Sequence, residues 1–235
     1  MTAYAPTEQS IIYPSSDGEP LAETSIHVDA IIAVVVALRQ YLEGQQAIVL
    51  SNQFFYYAQG FPRLRVAPDV MVVFNVPPGP RDNYKSWEEE QIPAVIFEIT
   101  SEGTRDQDKV YKKMLYEQMG IPEYWLFDPK GEWVEGQLQG YRLRGEVYEP
   151  ITDGRSEPLK LCLQVEGHIL SFYREDTGEK LLVPDELAQA LKQVRQQAEQ
   201  ERQRAEQERQ RAEQERQRAD RLAAQLRAAG IEPLD

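Results

Sequence analysis

Two apolar runs of strand length, Ala94 to Thr100 and Glu123 to Phe127, flank a helical stretch from about Arg105 to Met119. Strands joined through a helix cannot form a hairpin. The order suggests a crossover connection, with both strands in a mixed or parallel sheet. Two earlier runs, Ile48 to Tyr57 and Leu64 to Phe74, read as further strands. A helix is expected from about His27 to Glu43, capped by Thr24 or Ser25. Its apolar residues cover most of its circumference, so it should be packed on more than one side. The segment Pro77 to Pro93 carries four prolines and reads as a loop. Four short alternating runs follow (Trp133 to Tyr141, Tyr148 to Ile151, Leu159 to Val165, Ile169 to Tyr173), with turn signals such as Lys130-Gly131 and Asp153-Gly154 between them. They are expected to be antiparallel strands closing one edge of the sheet. The fold class is α/β: a mixed β-sheet core flanked by helices.

The composition divides the chain further. Residues 1–22 read as an N-terminal arm, 23–184 as the folded domain and 185–235 as a charged helical, coiled-coil-like tail. From Asp185 to Ala229 there is no Gly or Pro, and residues 198–218 are three copies of Ala-Glu-Gln-Glu-Arg-Gln-Arg. Leu187, Leu191, Val194, the repeat alanines, Leu222 and Leu226 share one a/d register, with glutamate at the remaining seam positions. Self-association or a helical partner through residues 185–229 is therefore an expectation, beside that of a solvated helix laced with Glu–Arg pairs.

Of the net charge of −13, the tail (10 basic, 11 acidic residues) carries −1 and the rest −12. An acidic body argues against strong non-specific binding to phosphate backbones, although a divalent ion at a carboxylate site inverts the local field. The single cysteine, Cys162, excludes an internal disulfide. Lying between Leu161 and Leu163, it is expected to be a buried structural thiol. The start of the chain has no signal-peptide pattern, and the longest apolar run, Ala30 to Leu38, is far short of the ~20 residues of a membrane span. A soluble, cytoplasmic protein is expected.

Charges inside apolar runs mark the candidate chemistry. Glu98 interrupts Ala94-Val95-Ile96-Phe97, with Ile99 after it, and Asp69 opens the run Val70 to Phe74. A buried carboxylate costs several kcal/mol unless it is paired or ligates a metal. Taken singly, Glu98 could be a strand-end residue reaching an Arg or Lys, and Asp69 a turn residue after Pro68. On the following helix Asp108, Lys112 and Tyr116 recur every four residues on one face, beside Lys109 and Lys113. Asp108–Lys112 could be no more than a surface pair. His27 and His168 have no partner spacing for metal binding or nucleophilic catalysis and read as packed or surface histidines. Trp87, Trp125 and Trp133 are assigned to packing. Ser101 lacks a Gly-x-Ser-x-Gly elbow.

The pattern Pro68-Asp69, then Glu98, then Thr104-x-x-x-Asp108-x-x-x-Lys112-x-x-x-Tyr116-x-x-x-Gly120, then Glu123-Tyr124-Trp125 and Asp128-Pro129, resembles the Uma-two family, a restriction-endonuclease group of the PD-(D/E)xK nuclease superfamily. The resemblance spans roughly residues 11 to 173. It implies a restriction-endonuclease-like fold and a metal-dependent endonuclease site for DNA. Asp69, Glu98 and Lys112 would be catalytic. Asp69, Glu98, the Ile99 carbonyl and, more weakly, Glu23 would hold Mg²⁺ or Mn²⁺. The superfamily lysine would stand at Thr100, which cannot carry the charge, so Lys112 from the helix is its replacement, with Lys109 and Lys113 as fallbacks. The alternative is a catalytically inactive nuclease-fold protein serving as a binding or coiled-coil assembly module.

Overall fold

The computed structural model describes residues 11–18, 23–101, 103 and 107–228. In chain order the elements are α1 (Ser25–Tyr41), β1 (Ala47–Ser51), β2 (Phe55–Tyr56), β3 (Arg65–Val66), β4 (Val70–Phe74), β5 (Tyr84–Lys85), α2 (Ser86–Glu89) and β6 (Val95–Ile99). A π-helical turn, Gln107–Lys112, then runs into α3 (Lys113–Gln118). After it come β7 (Glu123–Phe127), β8 (Leu138–Arg144), β9 (Val147–Ile151), β10 (Arg155–Ser156), β11 (Leu161–Glu166), β12 (Ile169–Arg174) and α4 (Pro184–Ala228). The chain divides into two compact units at Pro184, the first ending there and the second beginning at Asp185.

The main sheet has six strands in the order β1-β4-β6-β7-β8-β9. Only β6 and β7 run parallel, and the helix 107–118 is their crossover. The other neighbours are antiparallel. Period-2 alternation sends each strand's side chains to both faces, and both faces are covered. On one side Val49, Val70, Val72, Phe97, Ile99 and Trp125 pack with α1 and with Leu161, Leu163, Leu170 and Phe172. On the other, Ile48, Met71, Val73, Ile96 and Tyr124 pack with Tyr116 of the crossover and with Phe55 and Tyr84.

Several expectations are corrected. The run 48–57 is two strands, because Asn52 takes a left-handed turn (φ 50°) after β1. The run 64–74 is likewise split, by Ala67-Pro68-Asp69. The segment 77–93 is not wholly loop: β5 pairs parallel with β2, and α2 follows at once. Only β8 and β9 extend the main sheet; β10, β11 and β12 form a separate three-stranded sheet that contributes to the α1 side of the core. The run 133–141 becomes strand only at Leu138, since Gly136 and Gln137 both have positive φ. Cys162 is half-buried, because alternation along β11 turns Leu161 and Leu163 inward instead.

Of the arm, residues 11–18 are described. Tyr13 packs edge-on against Tyr56 at 5.1 Å, and the Tyr56 hydroxyl donates to the Pro14 carbonyl at 2.5 Å. In the tail, α4 is a single helix with no buried residue. No helix among the described residues is long and apolar enough to cross a membrane.

Candidate active site

The site forms where β4 begins and β6 ends. Pairing of the two strands stops at Val70 opposite Phe97. One step further, Asp69 meets Glu98. The Asp69 N–H donates to Glu98 Oε2 at 3.3 Å, and Asp69 Oδ2 accepts the Ile99 N–H at 2.7 Å. A carboxylate at the strand end thus takes a ladder bond that β4 no longer supplies. Within an extended strand a residue's N–H and C=O point to the same side, so the Ile99 carbonyl also faces Asp69.

Glu98 is fully buried. Its Oε1 accepts the Tyr116 hydroxyl at 2.6 Å, and its Oε2 accepts the Lys112 ammonium at 2.8 Å. Lys112 also lies 2.9 Å from Oδ1 of Asp108, itself buried. Asp108, Lys112 and Tyr116 therefore do present one face to the sheet, although the turn through Lys112 is π-helical rather than α-helical. Such turns recur at functional sites. The crossover is closed by Gly120 at φ 76°: its N–H bonds the Glu117 carbonyl and that of Ile121 bonds the Tyr116 carbonyl, a Schellman end that only a left-handed residue completes. Thr104 and Arg105 lie outside the described residues.

Of the three lysines, Lys112 alone reaches Glu98. The Lys109 ammonium bonds the Trp133 carbonyl, and that of Lys113 sits 3.8 Å from the centre of the Tyr141 ring. The fallback assignments therefore have no geometric support. Thr100, where the resemblance would place a lysine, is buried, and among the described residues its hydroxyl has no hydrogen-bond partner.

His27, expected as a packed or surface histidine, is packed, and it lies beside the acids of the cluster. Thr24 caps α1 by accepting the His27 N–H, and the first turn carries the imidazole inward, where it is 4% exposed. Its Nε2 is 3.4 Å from Glu23 Oε2 and 3.9 Å from Asp69 Oδ1, and among the described residues neither ring nitrogen has a hydrogen-bond partner. Both neighbours were visible as acids, and Glu23 precedes it by one helical turn. The long-range approach to Asp69 was not visible. His27 and Glu23 line a cleft of about 260 Å³ with Thr100, Ser101, Lys130 and Trp133.

The electrostatics follow from burial. Desolvation pushes the Glu98 carboxyl up to about 8 against the pull of Lys112, and Asp69 and Asp108 add to the push. Desolvation raises Asp69 to about 6 in the same way. Burial alone would discharge Lys112, but Glu98, Asp108 and Asp69 outweigh it and hold the ammonium above its ordinary range. Burial holds His27 below its ordinary value, opposed by Glu23.

Other charged residues of the sequence pattern are structural. Asp128 is buried and accepts four main-chain N–H groups, from Lys130, Gly131, Trp133 and Val134, fixing the loop beside the cleft. Buried Glu123 pairs with Arg142 at 2.8 Å and accepts the Trp125 indole N–H. His168 bonds the Pro129 carbonyl through Nδ1 at 2.6 Å.

Among the described residues no three Asp, Glu, Cys or His side chains converge as a closed metal centre. The donors present are two adjacent carboxylates beside a strand-end carbonyl. That is an open, oxygen-rich set of the kind Mg²⁺ takes while keeping several waters.

A mixed sheet with a parallel pair bridged by a helix, carrying an Asp–Glu–Lys cluster at its strand ends, defines a mixed α/β protein. The chain belongs to the Uma2 family, described as "Putative restriction endonuclease", whose profile matches residues 2–172. Among solved structures it is similar to the crystal structure of a "putative nuclease belonging to DUF820" from Anabaena variabilis, with 16% identity and a TM-score of 0.42 over 71% of this chain and 86% of that one. No curated protein matches.

Proposed function

We propose that the chain is a metal-dependent endonuclease that hydrolyses phosphodiester bonds in DNA, with Asp69, Glu98 and Lys112 as its catalytic residues. The observation that carries this reading is the Lys112 ammonium. It arrives from the crossover helix, 2.8 Å from a fully buried carboxylate, at the strand end where Asp69 also stands.

Asp69, Glu98 and the Ile99 carbonyl would hold Mg²⁺ or Mn²⁺, with Glu23 at the margin. The ion supplies Lewis acidity, polarising a phosphate oxygen and making a water easier to deprotonate. The protein side of the chemistry is positioning. Tyr116 fixes Glu98 through Oε1, and the Ile99 N–H fixes Asp69 through Oδ2, so both carboxylates are held before substrate arrives. Lys112 donates hydrogen bonds to the attacking water and stabilises negative charge developing on the phosphorane. The DNA strand would enter by the cleft, whose exposed Lys130 offers a phosphate contact and whose Trp133 offers a flat surface.

A second reading is favoured by one observation: Lys112 is already shared between Glu98 and Asp108, a closed ion-pair network that needs no metal. On that reading the fold binds nucleic acid without cutting it.

Cleavage of single-stranded, duplex and branched DNA, with Mg²⁺ or Mn²⁺, separates the two. The nuclease reading expects cleavage by the wild type and a loss of at least 100-fold in Asp69→Asn, Glu98→Gln and Lys112→Met. Equal activity in all four proteins would trace the cutting to a contaminant. Binding without cleavage by the wild type would establish the second reading.

A further inference from the structure

Laid against its own reverse, the seam of α4 sets leucine on leucine at both ends and glutamate on alanine between them. Pairing residues whose numbers sum to 413 sets Leu187 with Leu226, Leu191 with Leu222 and Val194 with Ala219. The same rule sets Glu215 with Ala198, Glu201 with Ala212 and Glu208 with Ala205. We propose that this face docks on the tail of a second copy of the chain, antiparallel, in the register that places Leu187 against the partner's Leu226. The inference stands apart from the chemistry proposed above.

The face is open to a partner. Leu187, Leu191, Val194, Leu222 and Leu226 are all exposed, and α4 runs its 45 residues without a break. Charge selects the orientation. A parallel, in-register pair would set Glu201, Glu208 and Glu215 each against its own copy, three like-charge layers inside the seam. The antiparallel pair sets every one of them against an alanine. The short methyl leaves room for the carboxylate to swing aside, and the flanking e and g positions of the repeats are all arginine, from Arg202 and Arg204 to Arg216 and Arg218.

The outer face is already satisfied within the helix. Glu199, Glu206 and Glu213 each accept the amide of the glutamine one turn on, at 3.1, 3.2 and 3.1 Å. Among the described residues no such bond engages Glu201, Glu208 or Glu215. Their charge is left for the partner's arginines. The leucines at both ends supply the apolar contact, so the middle sets the orientation and the ends supply the grip.

The full chain tests this by disulfide trapping. In a Cys162→Ser background, two proteins are made, Leu187→Cys and Leu226→Cys. Each is oxidised mildly alone, and then the two are mixed. The antiparallel register expects a covalent heterodimer on mixing and no homodimer from either protein alone. Homodimers of Leu187→Cys alone would overturn it in favour of a parallel pair. The absence of any cross-link, with a monomer mass in sedimentation, would overturn it outright. As a second measurement, Leu191→Lys and Leu222→Lys should each weaken self-association at least tenfold while helix content by circular dichroism is kept. Association unchanged by both would mean that the copies meet elsewhere.

Discussion

Lys112 sits between two buried carboxylates, Glu98 and Asp108, which sets the cost of losing it. Removing it leaves Asp108 buried without its counter-charge, at a cost of about 3–5 kcal/mol. Lys112→Met should lower unfolding stability in urea by an amount of that order; a loss under about 0.5 kcal/mol, the level of an exposed pair, would show that the ammonium is effectively solvated. Tyr116→Phe removes one hydrogen bond from Glu98 and should cost about 1–3 kcal/mol by the same measurement. Glu98 and Asp69 were readable in the sequence because a charge in or at the head of an apolar run demands a partner, whereas Lys112 came from its helical spacing and the family resemblance. His27 was not readable, because a single histidine on an apolar helix face looks identical whether it meets a core or a carboxylate. What made it a site residue is the 3.9 Å approach of Asp69, which only the folded chain creates.

At the level of elements, the crossover between β6 and β7 was the most legible feature, since a helix between two apolar runs favours a parallel crossover and the two strands do pair parallel. The split strands were not. Asn52 and Gln137 bend the chain through left-handed φ without being glycine, so neither position itself signalled the turn. The sheet of β10, β11 and β12 was misplaced for a different reason: alternation predicts strands and faces, not which sheet a strand joins. Two element-scale predictions follow from local geometry. Thr24→Ala removes the cap that accepts the His27 N–H, and should cost about 1 kcal/mol in thermal or urea unfolding. Gly140 lies opposite Trp125 in register, and a Cβ there would run into the indole ring. Gly140→Ala should therefore cost about 1–3 kcal/mol through strain in the core, against a near-neutral result if the ring can move aside.

For the molecule as a whole, the buried acids give stability a pH slope of known sign. Glu98 keeps its proton to about 8 in the folded chain against an ordinary value of 4.5. Between those values the folded state binds more protons than the unfolded one, so stability falls as pH rises. Asp69, raised from 3.8 to about 6, acts in the same direction lower down. In the absence of divalent ions, Tm should fall by several degrees from pH 5 to pH 8, on a scale of about 2–4 °C per kcal/mol. Glu98→Gln should flatten the slope. A Tm that rises over this range in the wild type would show that Glu98 is ionised throughout.

The placement of β12 has a consequence for synthesis. Phe172, on the last strand of the body, packs into the core that α1 helps to form, so that core is incomplete until nearly all of residues 25–174 exist. The 45 residues of α4 are translated after that point. At about 5–20 residues per second they occupy the ribosome for roughly 2–10 s. Those seconds of continued synthesis carry the last strand of the body out of the ribosome and let the core close while the chain is still tethered.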